Sequence, residues 1–313
     1  MRHFNAAEVA VALPFSTLVP ALHRAFVRGC EVPARHPHSV GHEGTALLMP
    51  AWREGGFLGV KTVTIFPANG AQGLPGVHAI YTLFSARTGV PLAVMDGSEL
   101  TARRTAAASA LAAQLLARSD CSRLVLVGAG RVAALLPAAL RSVRPALRQV
   151  QVWNRSPGAA ESLAASLRDQ GFDASATTDL QAAVRQADLI SCATLATRAL
   201  VQGDWLAPGA HLDLIGSFSP DMREADGRAL ARSRVWVDTE EALAKSGDLL
   251  QAVAEGAFDP ATLQGTLAQL CRAEAPRRHR DDDITLFKSV GTALEDLAAA
   301  EQVWGAADNP AFP

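Results

Sequence analysis

Few ionisable side chains in the sequence lie within apolar segments, where they could serve catalysis or bind a ligand, and the first of them is a lysine. Of the three lysines, Lys61, Lys245 and Lys288, only Lys61 lies inside a β-rich segment, between Val60 and Val63. An ammonium group is costly to bury there unless it meets a partner or a ligand. The alternative is a surface lysine on the polar face of the strand. From the residues alone, both interpretations stay open.

Two arginine positions could bind an anion. Arg35 lies in a stiff loop between Pro33 and Pro37, and Arg103 and Arg104 stand near the start of a predicted Ala-rich helix. Arginine presents a planar fork of donors that suits bidentate binding of a carboxylate. Taken singly, each of these side chains is more typical of a solvated surface charge.

A glycine turn of the form G-x-G-x-x-A follows a predicted strand and opens a predicted helix. Gly128 permits the tight turn, Gly130 lets the backbone approach a pyrophosphate, and Ala133 is small enough for the helix to pack on the strand. The free N–H groups of the first helical residues, Arg131 and Val132, would face the phosphates. The turn predicts a dinucleotide site, although a purely structural glycine turn would look the same.

The end of the next strand bears on the choice of cofactor. A site for NAD commonly places an acidic residue there, on the ribose 2′-hydroxyl, but this chain has Asn154 and Arg155. An amide and a guanidinium suit a 2′-phosphate better than a carboxylate would. We therefore expect NADP(H) to be preferred, with NAD(H) possible.

Three histidines resemble a metal cluster only in their spacing. Pro33 and Pro37 disfavour one regular element that would hold His36, His38 and His42 together, and Glu43 is the acidic neighbour. We expect no metal site here, since zinc sites need ligands that converge from regular elements.

The elements that must position these residues fall into two patterns. The first part of the chain reads as a helix ending near Gly29, an antiparallel meander and a long Ala-rich helix, which predicts an α+β domain. The expected strands are 46–50, 57–66, 77–84 and 91–95, and the expected long helix is 98–118.

From Arg123 onward, strands alternate with helices, which predicts a parallel sheet covered on both faces. The expected strands are 124–127, 150–153, 188–191, 211–215 and 235–237, and the expected helices are 132–142, 159–170 and 284–303.

The composition excludes several classes of protein. The chain has 313 residues, half of them apolar, and a formal net charge of −2, which disfavours both disorder and nucleic-acid binding. The apolar stretch 6–22 is broken by Glu8 and Pro14, so it predicts an amphipathic helix rather than a signal peptide, and no segment is apolar enough to span a membrane. The four cysteines are widely spaced, which is typical of reduced thiols in a cytoplasmic protein.

Several segments together resemble the ornithine cyclodeaminase and μ-crystallin family. The resemblance spans most of the chain in the expected order, and the motifs around Arg104 and Lys288 are more specific than the glycine turn. The matching segments are 32–35, 59–69, 100–111, 128–130 and 285–296.

The resemblance implies a homodimer of subunits with two domains. A Rossmann domain for NAD(P), residues 119–287, is inserted into a substrate-binding and dimerisation domain made of residues 1–118 and 288–313. By motif position, Arg35, Lys61 and Arg104 would hold the substrate carboxylate beside the nicotinamide, and Lys61 would help to move a proton. Lys288 is assigned to the cofactor-binding residues.

The same resemblance raises a question about the reaction. The cyclodeaminase carries an aspartate as its general base in a Gly-Gly-Asp arrangement, and Phe218 stands at that place in this chain. A phenyl ring cannot accept a proton. Asp221, three residues further, is the remaining candidate base, whereas in a reductase Phe218 would form a wall against the substrate ring.

We therefore expect an NAD(P)H-dependent reductase of small cyclic imino acids, with proline or pipecolate as product. One alternative is ornithine cyclodeaminase, which converts ornithine to proline and ammonia. Another is a μ-crystallin-like protein that binds NADPH and a small ligand without turnover, and alanine dehydrogenase activity is also known in the family.

Overall fold

The computed structural model describes residues 1–306. Its internal contacts divide the chain into two compact units, one made of residues 1–105 with the segment from Thr292 onward, and one made of residues 106–291. The sequence predicts boundaries after residues 118 and 287, and the assignment of a function to each part stays a prediction. The last part of that assignment, residues 307–313, lies outside the described residues.

The first unit is built on a mixed sheet of six strands. Its order is β1-β6-β5-β4-β3-β2, with β1 parallel to β6 and the other pairs antiparallel. The strands are β1 (Arg2–Phe4), β2 (His36–Val40), β3 (Gly44–Trp52), β4 (Phe57–Ile65), β5 (Val77–Ser85) and β6 (Pro91–Asp96). The helices are α1 (Ala6–Ala12), α2 (Phe15–Arg28), the start of α3 (Gly97–Leu116) and the C-terminal α11 (Ala293–Ala306).

The second unit has a parallel sheet of eight strands in the order β13-β12-β14-β11-β10-β7-β8-β9. The strands are β7 (Arg123–Val127), β8 (Gln149–Trp153), β9 (Asp173–Ala176), β10 (Leu189–Cys192), β11 (His211–Leu214), β12 (Arg234–Val237), β13 (Gly265–Thr266) and β14 (Thr285–Lys288). The helices are α4 (Arg131–Val143), α5 (Pro157–Asp169), α6 (Leu180–Gln186), α7 (Gly227–Arg232), α8 (Ala242–Lys245), α9 (Gly247–Ala254) and α10 (Leu267–Cys271). The predicted α/β class, a Rossmann domain inserted into an α+β domain, is confirmed.

Two element predictions were wrong. The expected first helix is two helices bent by 77°, because Pro14 lacks the N–H that a continuous helix needs. The expected helix 284–303 begins as β14, a fully buried strand between β11 and β12, and only Ala293 opens the helix. The sequence reading also missed the short strands β1, β2, β9 and β13.

Within residues 1–306, no single helix is long and apolar enough to cross a membrane. The bent pair α1 and α2 reaches that length and composition only when the two helices are taken together.

Candidate active site

Lys61 lies on β4 and faces the core of the first unit. Its register partners on the neighbouring strands, Met49 and Tyr81, are both buried. Only 2% of the Lys61 surface is exposed. Lys61 is therefore not a surface lysine, and the interpretation that remains is a buried ammonium that needs partners.

Two carboxylates in the first turn of α11 provide those partners. Lys61 Nζ lies 2.7 Å from Asp296 Oδ2. Arg104 Nε donates to Asp296 Oδ1 at 2.9 Å, and Arg104 Nη1 donates to Glu295 Oε2 at 2.5 Å. The positive end of the α11 dipole adds to the stabilisation of both carboxylates. The C-terminal helix thus completes a charged cluster that begins on β4 and α3.

Burial and charge act in opposite directions on these groups. Burial lowers the pKa of Lys61 to about 8, and Arg104 and Arg35 add to this effect, while Asp296 opposes it. Burial alone would raise the pKa of Asp296, but Arg104 and Lys61 outweigh it and hold that pKa below its ordinary value. The cluster therefore holds an ionised Asp296 beside an ammonium that can release its proton near neutral pH.

We call Arg35, Lys61, Arg104, Glu295 and Asp296 the cationic cluster. Arg35 belongs to it because its charge acts on the pKa of Lys61. Lys61 and Arg104 are buried and meet on Asp296, and the half-buried Arg35 acts on Lys61 through its charge. An ammonium and a guanidinium on neighbouring elements suit the carboxylate of a small ligand.

The sequence reading gave no role to Glu295 and Asp296. Both stand at the start of a helix that is otherwise mainly apolar and small, and both are fully buried. The available signal was charge balance, because cations predicted to be buried require carboxylates. Two adjacent acids in an apolar helix were the natural candidates.

The glycine turn of the second unit has the geometry that a dinucleotide needs. Gly128 has φ +115°, and a Cβ on it would lie 2.6 Å from the carbonyl oxygen of Ala193. Gly130 has open space where its Cβ would stand, and it begins α4 without a side-chain cap. The first N–H groups of α4, at Arg131 and Val132, therefore stand beside a clear approach for phosphates. These residues fit the pyrophosphate of a nicotinamide dinucleotide.

Asn154 and Arg155 follow the end of β8, the strand next to β7. Asn154 Nδ2 donates to the carbonyl oxygen of Ser156, which fixes the turn, and Arg155 is exposed. A phosphate on the adenosine ribose would meet the guanidinium at this place in such a fold.

Phe218 and Asp221 lie in the segment after β11. Phe218 is 50% exposed, so its ring is available to a ligand. Asp221 lies in the open, accepts a hydrogen bond from Ser219 Oγ at 2.6 Å, and has its pKa lowered by that bond. A base with a lowered pKa in contact with solvent is poorly suited to remove a proton from an amine. The structure therefore argues against Asp221 as a catalytic base.

Lys288 is fully buried at the end of β14. Its Nζ donates to the carbonyl oxygen of Leu214 at 3.1 Å and lies 3.7 Å from Asp248 Oδ2. With no exposed surface, Lys288 is not placed to touch a cofactor directly. The physical reason is its position on a central strand, which the wrong assignment of residues 284–288 to a helix had concealed.

The three histidines whose spacing resembles a metal cluster lie at the edge of the six-stranded sheet. His36, His38 and His42 are exposed on or near the edge strand β2. Within residues 1–306, no group of three histidine, cysteine or acidic side chains could hold a metal ion. All four cysteines are free thiols.

Asp213 on β11 gives a prediction for stability. It is buried, and it accepts hydrogen bonds from Ser191 Oγ at 2.6 Å and Ser109 Oγ at 3.1 Å. Burial raises its pKa from 3.8 to about 6, against the opposing effect of the two serines. Because the folded state holds the proton more tightly than the unfolded state, Asp213 costs stability as the pH rises through this range.

We expect Asp213→Asn to raise the free energy of unfolding near pH 8 by up to about 3 kcal/mol more than it does near pH 4. Asparagine is neutral and can serve both serines, so only the cost of ionisation is removed. Urea unfolding of both proteins at the two pH values measures the difference. An equal effect at both pH values would contradict the assignment.

Comparison with known proteins extends these observations. A model of the ornithine cyclodeaminase/mu-crystallin family matches residues 4–309. The Delta(1)-pyrroline-2-carboxylate reductase of Paracoccus denitrificans is 42% identical over 261 residues, which cover 83% of this chain and 83% of that protein.

Two solved structures have the same fold over their whole length. Delta(1)-pyrroline-2-carboxylate reductase of Thermococcus litoralis, in complex with NADH and L-proline, has a TM-score of 0.93 at 31% identity and covers 98% of this chain and 97% of its own. An archaeal alanine dehydrogenase dimer with bound NAD has a TM-score of 0.92 at 29% identity and covers 100% of this chain and 98% of its own.

Proposed function

The chain belongs to the ornithine cyclodeaminase/mu-crystallin family, and on that premise we propose that it is an NAD(P)H-dependent reductase of small cyclic imino acids. The substrate would be Δ1-pyrroline-2-carboxylate or its six-membered homologue, and the product proline or pipecolate. The observation that carries this proposal is the cationic cluster, in which the buried Lys61 and Arg104 lie together and offer donors that suit the carboxylate of such a substrate. The similarity to two reductases with this activity supports it.

The residues of the cationic cluster would have separate roles in this reaction. Arg104 and Arg35 would hold the substrate carboxylate, which fixes the position of the neighbouring C=N carbon. Asp296 and Glu295 keep Arg104 in one orientation through the two polar contacts given above. A bound nicotinamide would supply the hydride that this carbon accepts.

Lys61 would deliver the proton that the imine nitrogen needs. With a pKa of about 8, its ammonium is present at neutral pH and still acidic enough to give up a proton. Hydride on carbon and proton on nitrogen complete the reduction of the C=N bond to an amine. Such a substrate needs no strong base, which agrees with Phe218 and Asp221 in the segment after β11.

The same arrangement disfavours the cyclodeaminase reaction. That reaction must first remove a proton from an amine, and in the segment 215–224 the exposed carboxylate is Asp221, with its lowered pKa. The other carboxyl group of that segment, Glu224, is buried and accepts hydrogen bonds from Thr194 and Gly216. Oxidative deamination or its reverse on an open-chain amino acid is the second candidate. The similarity to the alanine dehydrogenase favours it, because an α-imino acid carries the same carboxylate next to the same C=N bond.

One panel of assays separates these reactions. Purified protein receives NADH or NADPH with Δ1-pyrroline-2-carboxylate, with Δ1-piperideine-2-carboxylate, or with pyruvate and ammonia, while ornithine and NAD are supplied in parallel. We expect oxidation of the cofactor with the cyclic imines. Activity with pyruvate and ammonia alone would favour the dehydrogenase, and ammonia released from ornithine without net change in the cofactor would overturn the proposal.

The cofactor is a nicotinamide dinucleotide, and we propose a preference for NADPH over NADH. Arg155 and Asn154 at the end of β8 support it, whereas both solved structures named above contain the form without the 2′-phosphate. Arg155→Ala should raise the KM for NADPH about tenfold and leave that for NADH unchanged, since an exposed charge-assisted hydrogen bond is lost. Arg148→Ala, at the other end of the same strand, is the control. An equal change in the KM values for NADPH and NADH would show that Arg155 does not bind the 2′-phosphate.

We also propose that the protein is a homodimer that pairs through the outer face of the six-stranded sheet. Alternate residues of β3 to β6 leave an apolar surface half-exposed, and Ile80 is 50% exposed. Contiguous apolar surface of this kind marks an interface, and the similar alanine dehydrogenase is a dimer. The surface includes Leu48, Pro50, Val60, Ile80, Phe84 and Val94.

Val60→Arg should convert the dimer to a monomer, because it puts a charge in the middle of this face, opposite Pro50 and Thr82. Light scattering after size-exclusion chromatography measures the mass. Val27→Arg, an exposed position on α2, is the matched control and should remain dimeric. A Val60→Arg protein that stays dimeric would place the interface elsewhere.

A further inference from the structure

A single buried carboxylate ties together the segments that follow β10 and β11. Glu224 Oε1 accepts hydrogen bonds from Thr194 N at 2.7 Å and Thr194 Oγ1 at 2.8 Å, and Glu224 Oε2 accepts one from Gly216 N at 2.6 Å. Glu224 is fully buried. One side chain therefore fixes the backbone at the ends of two neighbouring strands.

The backbone at Glu224 is itself held by a second carboxylate, Asp248, which lies beside Lys288. Asp248 Oδ1 accepts from the backbone N–H groups of Glu224 at 2.7 Å and Ala225 at 3.0 Å. Lys288 Nζ lies 3.7 Å from Asp248 Oδ2 and donates to the carbonyl oxygen of Leu214, the last residue of β11. The charge of Lys288 also opposes the rise in the pKa of Glu224 that burial causes, and all three groups are fully buried.

The backbone in this region is packed too closely to shift without cost. A Cβ on Gly216 would lie 2.1 Å from the carbonyl oxygen of Thr194 and 2.4 Å from Glu224 Oε1. A Cβ on Gly128 would similarly meet the carbonyl oxygen of Ala193. The segments after β7, β10 and β11 therefore touch through their backbones, and Glu224 determines the spacing between two of them.

These segments lie at the carboxyl ends of the parallel strands. In open parallel sheets, ligands bind outside the carboxyl ends of the strands, which is where these segments lie. Phe218 follows Gly216 by two residues, and its N–H donates to the carbonyl oxygen of Gly216 at 2.9 Å. Ser217 Oγ donates to the carbonyl oxygen of Met222 at 2.8 Å and accepts from Asp248 N at 2.9 Å. The position of Phe218 thus depends on the groups that Glu224 and Asp248 hold.

We propose that Glu224, supported by Asp248 and Lys288, is a positioning residue for the reduction. It holds the segments 193–196 and 215–219 in the arrangement that receives the nicotinamide and keeps Phe218 in place. This inference rests on the proposed function for its effect on turnover, but the structural part does not depend on it. Lys288, predicted as a cofactor ligand, acts here through the carboxylates and the carbonyl of Leu214.

Glu224→Gln tests the proposal with almost no change in shape. Both carboxylate oxygens accept N–H groups, so an amide must turn its own NH2 towards either Thr194 N or Gly216 N. Hydrogen exchange of the cofactor-free protein should be faster by about tenfold or more at these two amides, the factor expected when a buried donor loses its acceptor. The kcat should fall by about tenfold or more for the same reason, while the KM for the imine, set by the cationic cluster, stays within about twofold.

Glu255→Gln is the matched control. Glu255 pairs with Arg223, the neighbour of Glu224, but it is partly exposed and accepts no hydrogen bond from the backbone of either segment. It should leave the exchange and kcat unchanged. If Glu224→Gln does not fold, Thr194→Val is the second variant. It removes the hydroxyl that donates to Glu224 and accepts from Ala196 N, and it should speed exchange at Thr194 by a few fold.

The proposal would be overturned if Glu224→Gln and Glu255→Gln had the same kcat and the same rates of hydrogen exchange at the Thr194 and Gly216 amides. A higher KM for the imine with an unchanged kcat would do the same, because it would place Glu224 at the substrate. If the wild-type protein does not reduce cyclic imines, the proposed function fails, yet the exchange measurement still decides whether Glu224 holds the two segments.

Discussion

Replacing Arg104 by alanine should lower kcat/KM for a cyclic imino acid by about a hundredfold or more, because truncating one partner of a buried charge pair costs about 2–5 kcal/mol. Arg104 is nearly buried, and its fork is fixed by Glu295 and Asp296. The loss should appear mainly as a higher KM for the imine. Affinity for the cofactor should not change, since Arg104 lies outside the glycine turn. Steady-state kinetics and cofactor titration by fluorescence measure both quantities.

Arg103→Ala is the control for this substitution. Arg103 is the preceding residue on α3, but it is partly exposed and pairs with Glu99 one turn away. Its replacement should change kcat/KM by no more than about twofold. An unaltered KM in Arg104→Ala, with the fold intact by circular dichroism, would show that the cationic cluster does not bind the substrate carboxylate.

Replacing Lys61 by methionine should lower kcat by about a hundredfold to ten-thousandfold, the usual contribution of a positioned acid. In the wild-type protein, kcat/KM should fall as the pH rises through about 8, because the ammonium form that donates the proton is lost there. Lys61→Arg keeps the positive charge but cannot donate a proton at these pH values, so its low activity should not show that limb.

Lys245→Met is the control for the loss of a lysine. Lys245 lies on α8 and pairs with Glu241 one turn away, partly exposed. It should retain the wild-type pH profile. A Lys61→Met protein with turnover within about tenfold of the wild type would remove Lys61 from the proton transfer.

The sequence predicted the parts of the molecule that depend on local rules. The glycine turn was recognisable because Gly128 requires a positive φ and Gly130 requires open space, and both conditions hold in the structure. The meander β3 to β6 and the long helix α3 were also predicted, because alternating apolar residues and an alanine-rich segment have distinct local preferences. These features positioned Lys61 and Arg104 on the correct elements.

The errors arose where the outcome depends on distant partners. Residues 285–288 form a short segment with two apolar residues that periodicity cannot assign to strand or helix, and only pairing with β11 and β12 decides it. Lys288 therefore looked available for a cofactor when it is enclosed by Asp248 and Leu214. Glu295 and Asp296 were overlooked for a related reason, since their partners, Arg104 on α3 and Lys61 on β4, are distant in the sequence.

The proposed reduction of a carboxylated cyclic imine is tested most directly by comparing two substrates that differ only in the carboxylate. The protein is given NADPH or NADH with Δ1-pyrroline-2-carboxylate, and separately with Δ1-pyrroline, which has the same ring and C=N bond but no carboxylate. We predict that Δ1-pyrroline-2-carboxylate oxidises the cofactor and gives an equimolar yield of proline. For Δ1-pyrroline we predict a kcat/KM that is lower by about a hundredfold or more. Equal rates with the two imines, or no oxidation with the carboxylated one, would contradict it.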